Sequence, residues 1–241
     1  MYNKLRIDSE RRMSYMLYTE LVEYRGIKYS IEKNLAAVVG VTENSNCDIV
    51  IPECIFTNIM VVGIADKAFF KRAEITSVTL PDSVQFIGKN AFAWCPSLKS
   101  VKMRGVRYID ERAFMGDGQL SELDFTDKLI EIGDKAFAYC TSLVSVELPS
   151  FLEYLGSGVF EGCRYLKFVS IPDGINVIGN GTFYACTSLL SVKLPEKLTY
   201  IDEYAFAYCV SLEDLKIAGA TVINHDAFYE CGKHNTKTLV S

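Results

Sequence analysis

The 241-residue chain carries few of the groups that do chemistry. It has two histidines, His225 and His234, nine residues apart, and one tryptophan, Trp94. It contains no Ser/His/Asp arrangement, no His-Glu-x-x-His, no phosphate loop and no dinucleotide fingerprint. Catalysis is therefore not expected, and no cofactor is called for. Cysteines do not occur in the close pairs typical of zinc, so no metal site is expected either. No apolar run approaches the roughly 18 residues of a membrane-spanning helix. The first 17 residues carry charges throughout and have no apolar stretch, so no secretory signal is recognised there. There is no basic excess: 25 Lys and Arg against 30 Asp and Glu leave a net charge of −5. That balance argues against nucleic acid or an anionic membrane as partner, since either calls for a basic stripe.

What is present is a repeat. Phenylalanines fall at Phe69, Phe92, Phe114, Phe137, Phe160, Phe183, Phe206 and Phe228, at spacings of 23, 22, 23, 23, 23, 23 and 22 residues. Other positions keep the same phase. Cys follows three residues later at Cys95, Cys140, Cys163, Cys186, Cys209 and Cys231. Pro precedes by eleven residues at Pro81, Pro149, Pro172 and Pro195. A period this regular implies stacked units, each burying its apolar face on its neighbours.

Residues 143–163 show the unit. Leu143, Val146 and Leu148 alternate with polar Ser145 and Glu147, the period of a half-buried strand. Pro149 has no N–H for a ladder and ends the strand. Leu152 and Leu155 return to the core. Gly156 shares its column with Gly88, Gly133, Gly179, Asp110, Asp202, Asn224 and Ala65. Gly, Asp and Asn tolerate a left-handed backbone and also cap helix N-termini, and the following Ala-Phe-x-x-Cys favours a cap on a short helical turn. In that turn Ala gives close approach, Phe fills the core, and Cys is a small buried hydrophobe. Adjacent coils lie about 4.8 Å apart, but stacked thiols point the same way, so a ladder of free thiols is expected rather than disulfides. Cys47 and Cys54, about 23 Å apart if extended, do not pair with each other.

The pattern Leu-x-x-Val-x-Leu-Pro-x-x-Leu-x-x-Ile-Gly-x-x-Ala-Phe-x-x-Cys, over roughly residues 49–233, resembles the BspA-like (Treponema-type) leucine-rich-repeat family. The resemblance implies an α/β-type, mainly β, curved right-handed solenoid. Parallel strands would line one face, short helical turns the other, with a β-rich N-terminal cap. It also implies surface or secreted proteins of host-associated microbes, several of them adhesins.

Residues 1–48 are read as an N-terminal segment and cap, and residues 49–241 as about eight repeats of 22–23 residues. Met13, Tyr15, Met16 and Leu17 suggest a short helix or a frayed end. Residues 21–24 and 27–31 flank Arg25-Gly26 as a hairpin, and residues 36–41 form a further apolar run. Pro52 to Phe69 spans 17 residues where 11 is usual, so residues 57–62 should bulge as a loop or hairpin extension. Residues 236–240 look strand-like and would pair on the last coil, with possible self-association through that C-terminal sheet edge. The third repeat lacks both Pro and Cys and has Asp117 at or beside the Cys position.

Outward strand residues form two columns. One is Ser77, Ser100, Glu122, Ser145, Phe168, Ser191 and Asp214; the other is Thr79, Lys102, Asp124, Glu147, Ser170, Lys193 and Lys216. Phe168 stands out on a Ser-rich face, with Phe151 and Tyr165 as candidate neighbours, because aromatic residues are enriched at interface cores. Phe168, Ser145, Glu147, Ser170, Ser191 and Lys193 are the candidate ligand-binding residues. Lys102 beside Asp124 reads as an ion pair between neighbouring coils. Trp94, Tyr139 and Tyr208 share one turn position, as convex-surface packing or as a binding stripe. Asn180-Gly181-Thr182 fits a glycosylation sequon at ordinary repeat positions.

The sequence therefore points to a non-catalytic protein-binding module whose partner is a protein or glycoprotein. The resemblance favours a surface or secreted adhesin-like role. The unrecognised signal and the free thiols favour a cytoplasmic scaffold or effector. A spacer in a longer protein is the third reading.

Overall fold

The structure, a computed structural model, describes residues 20–42, 46–213, 215–217 and 221–232. The helix considered around Met13, together with Asp214, His234 and the strand expected at residues 236–240, lies outside them. The described residues begin with an antiparallel meander of β1 (Glu20–Tyr24), β2 (Ile27–Glu32) and β3 (Leu35–Val41). Arg25 and Gly26 turn the hairpin with positive φ of 53° and 76°. Next come β4 (Asp48–Val50), β5 (Cys54–Ile55) and β6 (Ile59–Ile64). The extra residues of the first repeat are a hairpin extension: β5 pairs antiparallel with β6, and Phe56 and Thr57 take left-handed φ at its tip.

Each later coil supplies a longer and a shorter strand. These are β7 (Ser77–Thr79) and β8 (Phe86–Ile87), β9 (Ser100–Lys102) and β10 (Tyr108–Ile109), β11 (Glu122–Asp124) and β12 (Glu131–Ile132), β13 (Ser145–Glu147) and β14 (Tyr154–Leu155), β15 (Phe168–Ser170) and β16 (Val177–Ile178), and β17 (Ser191–Lys193) and β18 (Tyr200–Ile201). The last described strand is β19 (Val222–Ile223). From coil to coil all pairing is parallel, residue on equivalent residue, as in Val146↔Val169↔Val192. The fold is a β-solenoid. The meander joins it through parallel pairing of β3 with β6.

The third side of each coil corrects the expectation of helical turns: among the described residues there is no helix. Local i to i+3 bonds, such as Ala68 N–H to the Ala65 carbonyl and Phe70 N–H to that of Lys67, close successive β-turns. Between them, N–H groups point along the stack. Lys67, Phe69 and Lys71 donate to Lys89, Ala91 and Ala93 of the next coil at 2.9, 2.7 and 3.0 Å. The first and third of these positions are left-handed: Lys67 and Lys71, Asn90 and Trp94, Lys135 and Tyr139 all have φ between 54° and 62°. That conformation costs about 1–2 kcal/mol for a residue with a Cβ, and here the inter-coil bonds that these N–H groups make offset it. The Gly column before the turn is not left-handed. Gly133, Gly156 and Gly179 serve close approach: a Cβ on Gly156 would sit 2.5 Å from the Asp134 nitrogen. Where Asp replaces Gly, its carboxylate caps the turn, as Asp202 Oδ1 does on the Glu203 N–H at 2.7 Å.

The eight phenylalanines form one continuous stack inside the coils. Ring centroids lie 4.8–5.2 Å apart at most steps, widening to 6.0 Å between Phe137 and Phe160 and 5.8 Å between Phe160 and Phe183. At each of those two steps one of the two strand ladders stops. Among the described residues, β11 does not pair with β13, nor β14 with β16. The small alanine of the turn is replaced in those two coils by the bulkier Val159 and Thr182. Phe125, in a column otherwise filled by Leu, Ile or Met, also pushes its ring edge against Phe137 at 5.7 Å.

The six repeat cysteines are buried and free. They are more than small hydrophobes. Cys95, Cys140, Cys163, Cys186 and Cys209 each donate their thiol to the Phe carbonyl of the preceding coil at 3.0–3.2 Å. Burial pushes the Cys95 and Cys163 thiols up to about 12. Asp117 occupies the vacant Cys position and is fully buried. Its Oδ1 accepts the Cys95 N–H at 2.8 Å, while Oδ2 has no partner. Desolvation holds this carboxyl well above its ordinary value, against the opposing pull of the Cys95 N–H.

Two outcomes follow from these columns. In native protein at about pH 8 a thiol reagent should label Cys47 and Cys54 alone, because only thiolates react and the other six are buried; all eight should react after denaturation. Labelling of a repeat cysteine before unfolding would contradict the ladder. For Asp117 the folded carboxyl binds its proton more tightly than the unfolded one. Its contribution is therefore complete below the unfolded carboxylate's pKa and is lost as pH rises towards the folded value. Asp117→Asn should gain on the natural chain as pH rises above the unfolded carboxylate's range, read as a widening gap in denaturant midpoint; a gap independent of pH would contradict it.

Candidate interaction surface

The longer strands β13, β15 and β17 make a three-stranded sheet that gathers the candidate residues in register. Ser145, Phe168 and Ser191 are direct partners across it, as are Glu147, Ser170 and Lys193. The alternation expected from the sequence holds: Val146, Val169 and Val192 face the core between these outward columns. The Phe168 side chain is 48% exposed with a serine on either side, whereas the repeat's phenylalanines are buried. Phe151 and Tyr165 are more exposed still, at 67% and 64%, but neither makes a ring contact with Phe168 among the described residues. They lie beyond the ends of the strands, so Phe168 stands alone as the aromatic on the sheet.

The two columns meet different surroundings. Glu147, Ser170 and Lys193 line a groove of about 770 Å³ along the C-terminal ends of the strands; Ser145, Phe168 and Ser191 do not. The groove crosses four successive coils, from Phe125–Asp127 to Lys193–Glu196, and begins beside the point where β11 and β13 part. Its apolar lining is Phe125, Leu148, Pro149, Ile171, Pro172 and Leu194. Its other wall carries Asp127, Ser150, Asp173 and Glu196. The acidic residues Asp127, Asp173 and Glu196 are outside the candidate set. Their signal is present in the sequence as a polar or acidic residue directly after the proline column, at Asp82, Asp127, Ser150, Asp173 and Glu196.

Other candidates resolve as scaffold. Asp124 pairs with Arg104 at 3.4 Å, not with Lys102, although Lys102 is its register partner. Both side chains are exposed, so the pair is worth under about 1 kcal/mol. The turn aromatics lean over the next coil. A Cβ on Gly116 would strike the Trp94 ring at 2.5 Å, and one on Gly162 the Tyr139 ring at 2.5 Å. Tyr208 packs edge-on against Tyr184 and Tyr229. The sequon threonine, Thr182, is buried and donates to the Gly179 carbonyl at 2.8 Å. His225 is exposed on its turn, with Asp226 at 2.9 Å.

Among the described residues no group of three or more His, Cys, Asp or Glu could hold a metal ion. No helix there is long and apolar enough to cross a membrane.

Comparison with known proteins agrees with the repeat columns. The family model for the BspA type leucine-rich repeat region matches residues 62–129 and 107–235, in six copies. A leucine-rich repeat protein of T. pallidum is similar at 30% identity, over 81% of this chain and 92% of its own, with a TM-score of 0.76. A leucine-rich repeat protein from Bacteroides ovatus is similar at 28% identity, over 86% of this chain and 56% of its own, with a TM-score of 0.77. Comparison with curated proteins gave no match. Repeat columns, parallel coils and family matches cover the same stretch, and the chain belongs to the BspA-type leucine-rich-repeat family.

Proposed function

We propose that this chain is a non-catalytic protein-binding module that presents the sheet of β13, β15 and β17 to a protein or glycoprotein, in an adhesin-like role at a cell surface or after secretion. Membership of a leucine-rich-repeat family points to protein interaction. The single observation that carries the reading to this face is Phe168: a half-exposed aromatic ring with a serine on either side in the register of the sheet. An aromatic of this kind provides contact area at low entropy cost, and its serine neighbours let a partner approach closely. A second reading, an intracellular scaffold, is favoured by the exposed free thiols of Cys47 and Cys54, which suit a reducing compartment.

The test immobilises the chain and its Phe168→Ala variant and offers each host matrix and serum proteins at micromolar concentration. Substitution of an exposed residue leaves the fold intact. Capture of a matrix or serum protein by the natural chain should weaken about tenfold or more in the variant, the scale of an interface hot spot. No capture, or capture indifferent to Phe168, would remove the basis for this surface.

A further inference from the structure

We infer that the groove beside this sheet receives an extended segment of the partner protein that carries arginine or lysine between apolar side chains. The inference rests on the protein-binding reading and adds the chemistry of what is bound. Three features of the groove lead to it. The first is shape: it crosses four coils, and three steps of about 4.8 Å give ~14 Å, the length of four to five extended residues.

The second is hydrogen-bonding character. Pro149 and Pro172 in its floor have no N–H to offer. The N–H groups of Leu148 and Ile171 beside them are already spent on the Ser170 and Lys193 carbonyls of the next coil. The backbone of the floor therefore has no free donor at these four positions, and the carboxylates above it are acceptors. A ligand that brings donors is favoured over this part of the groove, and guanidinium and ammonium groups consist of little else.

The third is charge. Glu147, Asp173 and Glu196 are exposed, and no ion pair engages them among the described residues. Asp127 adds a further carboxylate, held by the Ser150 hydroxyl at 3.0 Å, and Lys193 is the single cation of the lining. Four acids against one base leave a local excess of three negative charges over an apolar floor. An arginine can lay its methylene stem along such a floor while its planar head reaches the carboxylates, and a residue with a short or acidic side chain satisfies neither.

The experiment uses the full chain, the triple variant Glu147→Gln, Asp173→Asn and Glu196→Gln, and a control variant. The control, Glu20→Gln, Glu53→Gln and Glu230→Gln, removes the same charge at exposed positions away from the groove. The probe is a labelled hexapeptide of alternating arginine and leucine, with a matched peptide of glutamine and leucine, followed by fluorescence polarisation. The expected result is binding of the arginine peptide that weakens about tenfold or more in the groove variant and hardly at all in the control, and that weakens with added salt. Equal loss in the two variants, equal binding of the glutamine peptide, or no binding overturns the proposal. The same groove variant, run in the capture assay, separates the two readings. Capture that needs Phe168 but not the three carboxylates overturns the groove and leaves protein binding standing. Peptide binding through the carboxylates without any Phe168-dependent capture supports the groove and removes the sheet.

Discussion

The molecule depends on the turn that carries its phenylalanine. At each coil-to-coil step the Phe N–H donates to the turn carbonyl of the next coil, from Phe69 to Ala91 through to Phe206 to Ala227, at 2.7–3.0 Å. The rings stack directly beneath that ladder. A stacked pair adds about 0.5–1.5 kcal/mol beyond area burial, and burying the ring itself contributes more. The ladder and the stack run without interruption through the two steps where the strand sheets come apart. The strands present residues outward, but the turns hold the coils at their spacing.

That division of labour explains why the outward strand residues can vary. Ser, Glu and Phe follow one another in a single column because the sheet asks only for a valine or leucine between them. The constraint falls instead on the interior. There a thiol must reach a Phe carbonyl, an alanine must let the next coil approach, and a residue with a Cβ must accept a left-handed backbone. Such a scaffold leaves its freedom to vary where the constraint is weakest, on the face that carries Phe168.

Much of this was legible in the sequence. The period, the strand after each Leu143-like position, the hairpin at Arg25-Gly26, the hairpin extension of the first coil and the free thiols all follow from column chemistry. The turn was misread for a physical reason. Ala-Phe-x-x-Cys after Gly or Asp has the composition of a capped helix, and left-handed φ is ordinarily announced by glycine. Here the positions two before and two after the Phe are filled by Lys, Asn, Arg, Trp and Tyr as well. Their conformation is imposed by hydrogen bonds to a coil some 22 residues away, which no local pattern records. The candidate residues did gather on one sheet, since a parallel register with constant period can only place them so. The groove is not legible because three of its four acids, Asp127, Asp173 and Glu196, lie outside the strands, and its mouth depends on a gap between β11 and β13.

Those two gaps give the solenoid an internal seam. Stability in a repeat stack is a sum of coil and neighbour terms, so cooperativity is only as long-ranged as its weakest interface. With one sheet released after β11 and the other after β14, the coil of Phe160 holds to each side through its turn and one strand ladder, where its neighbours use two. The meander and first coils on one side and the later coils on the other can therefore open as separate units. The groove begins at the first of these gaps, so a partner bound across it would splice the two units into one.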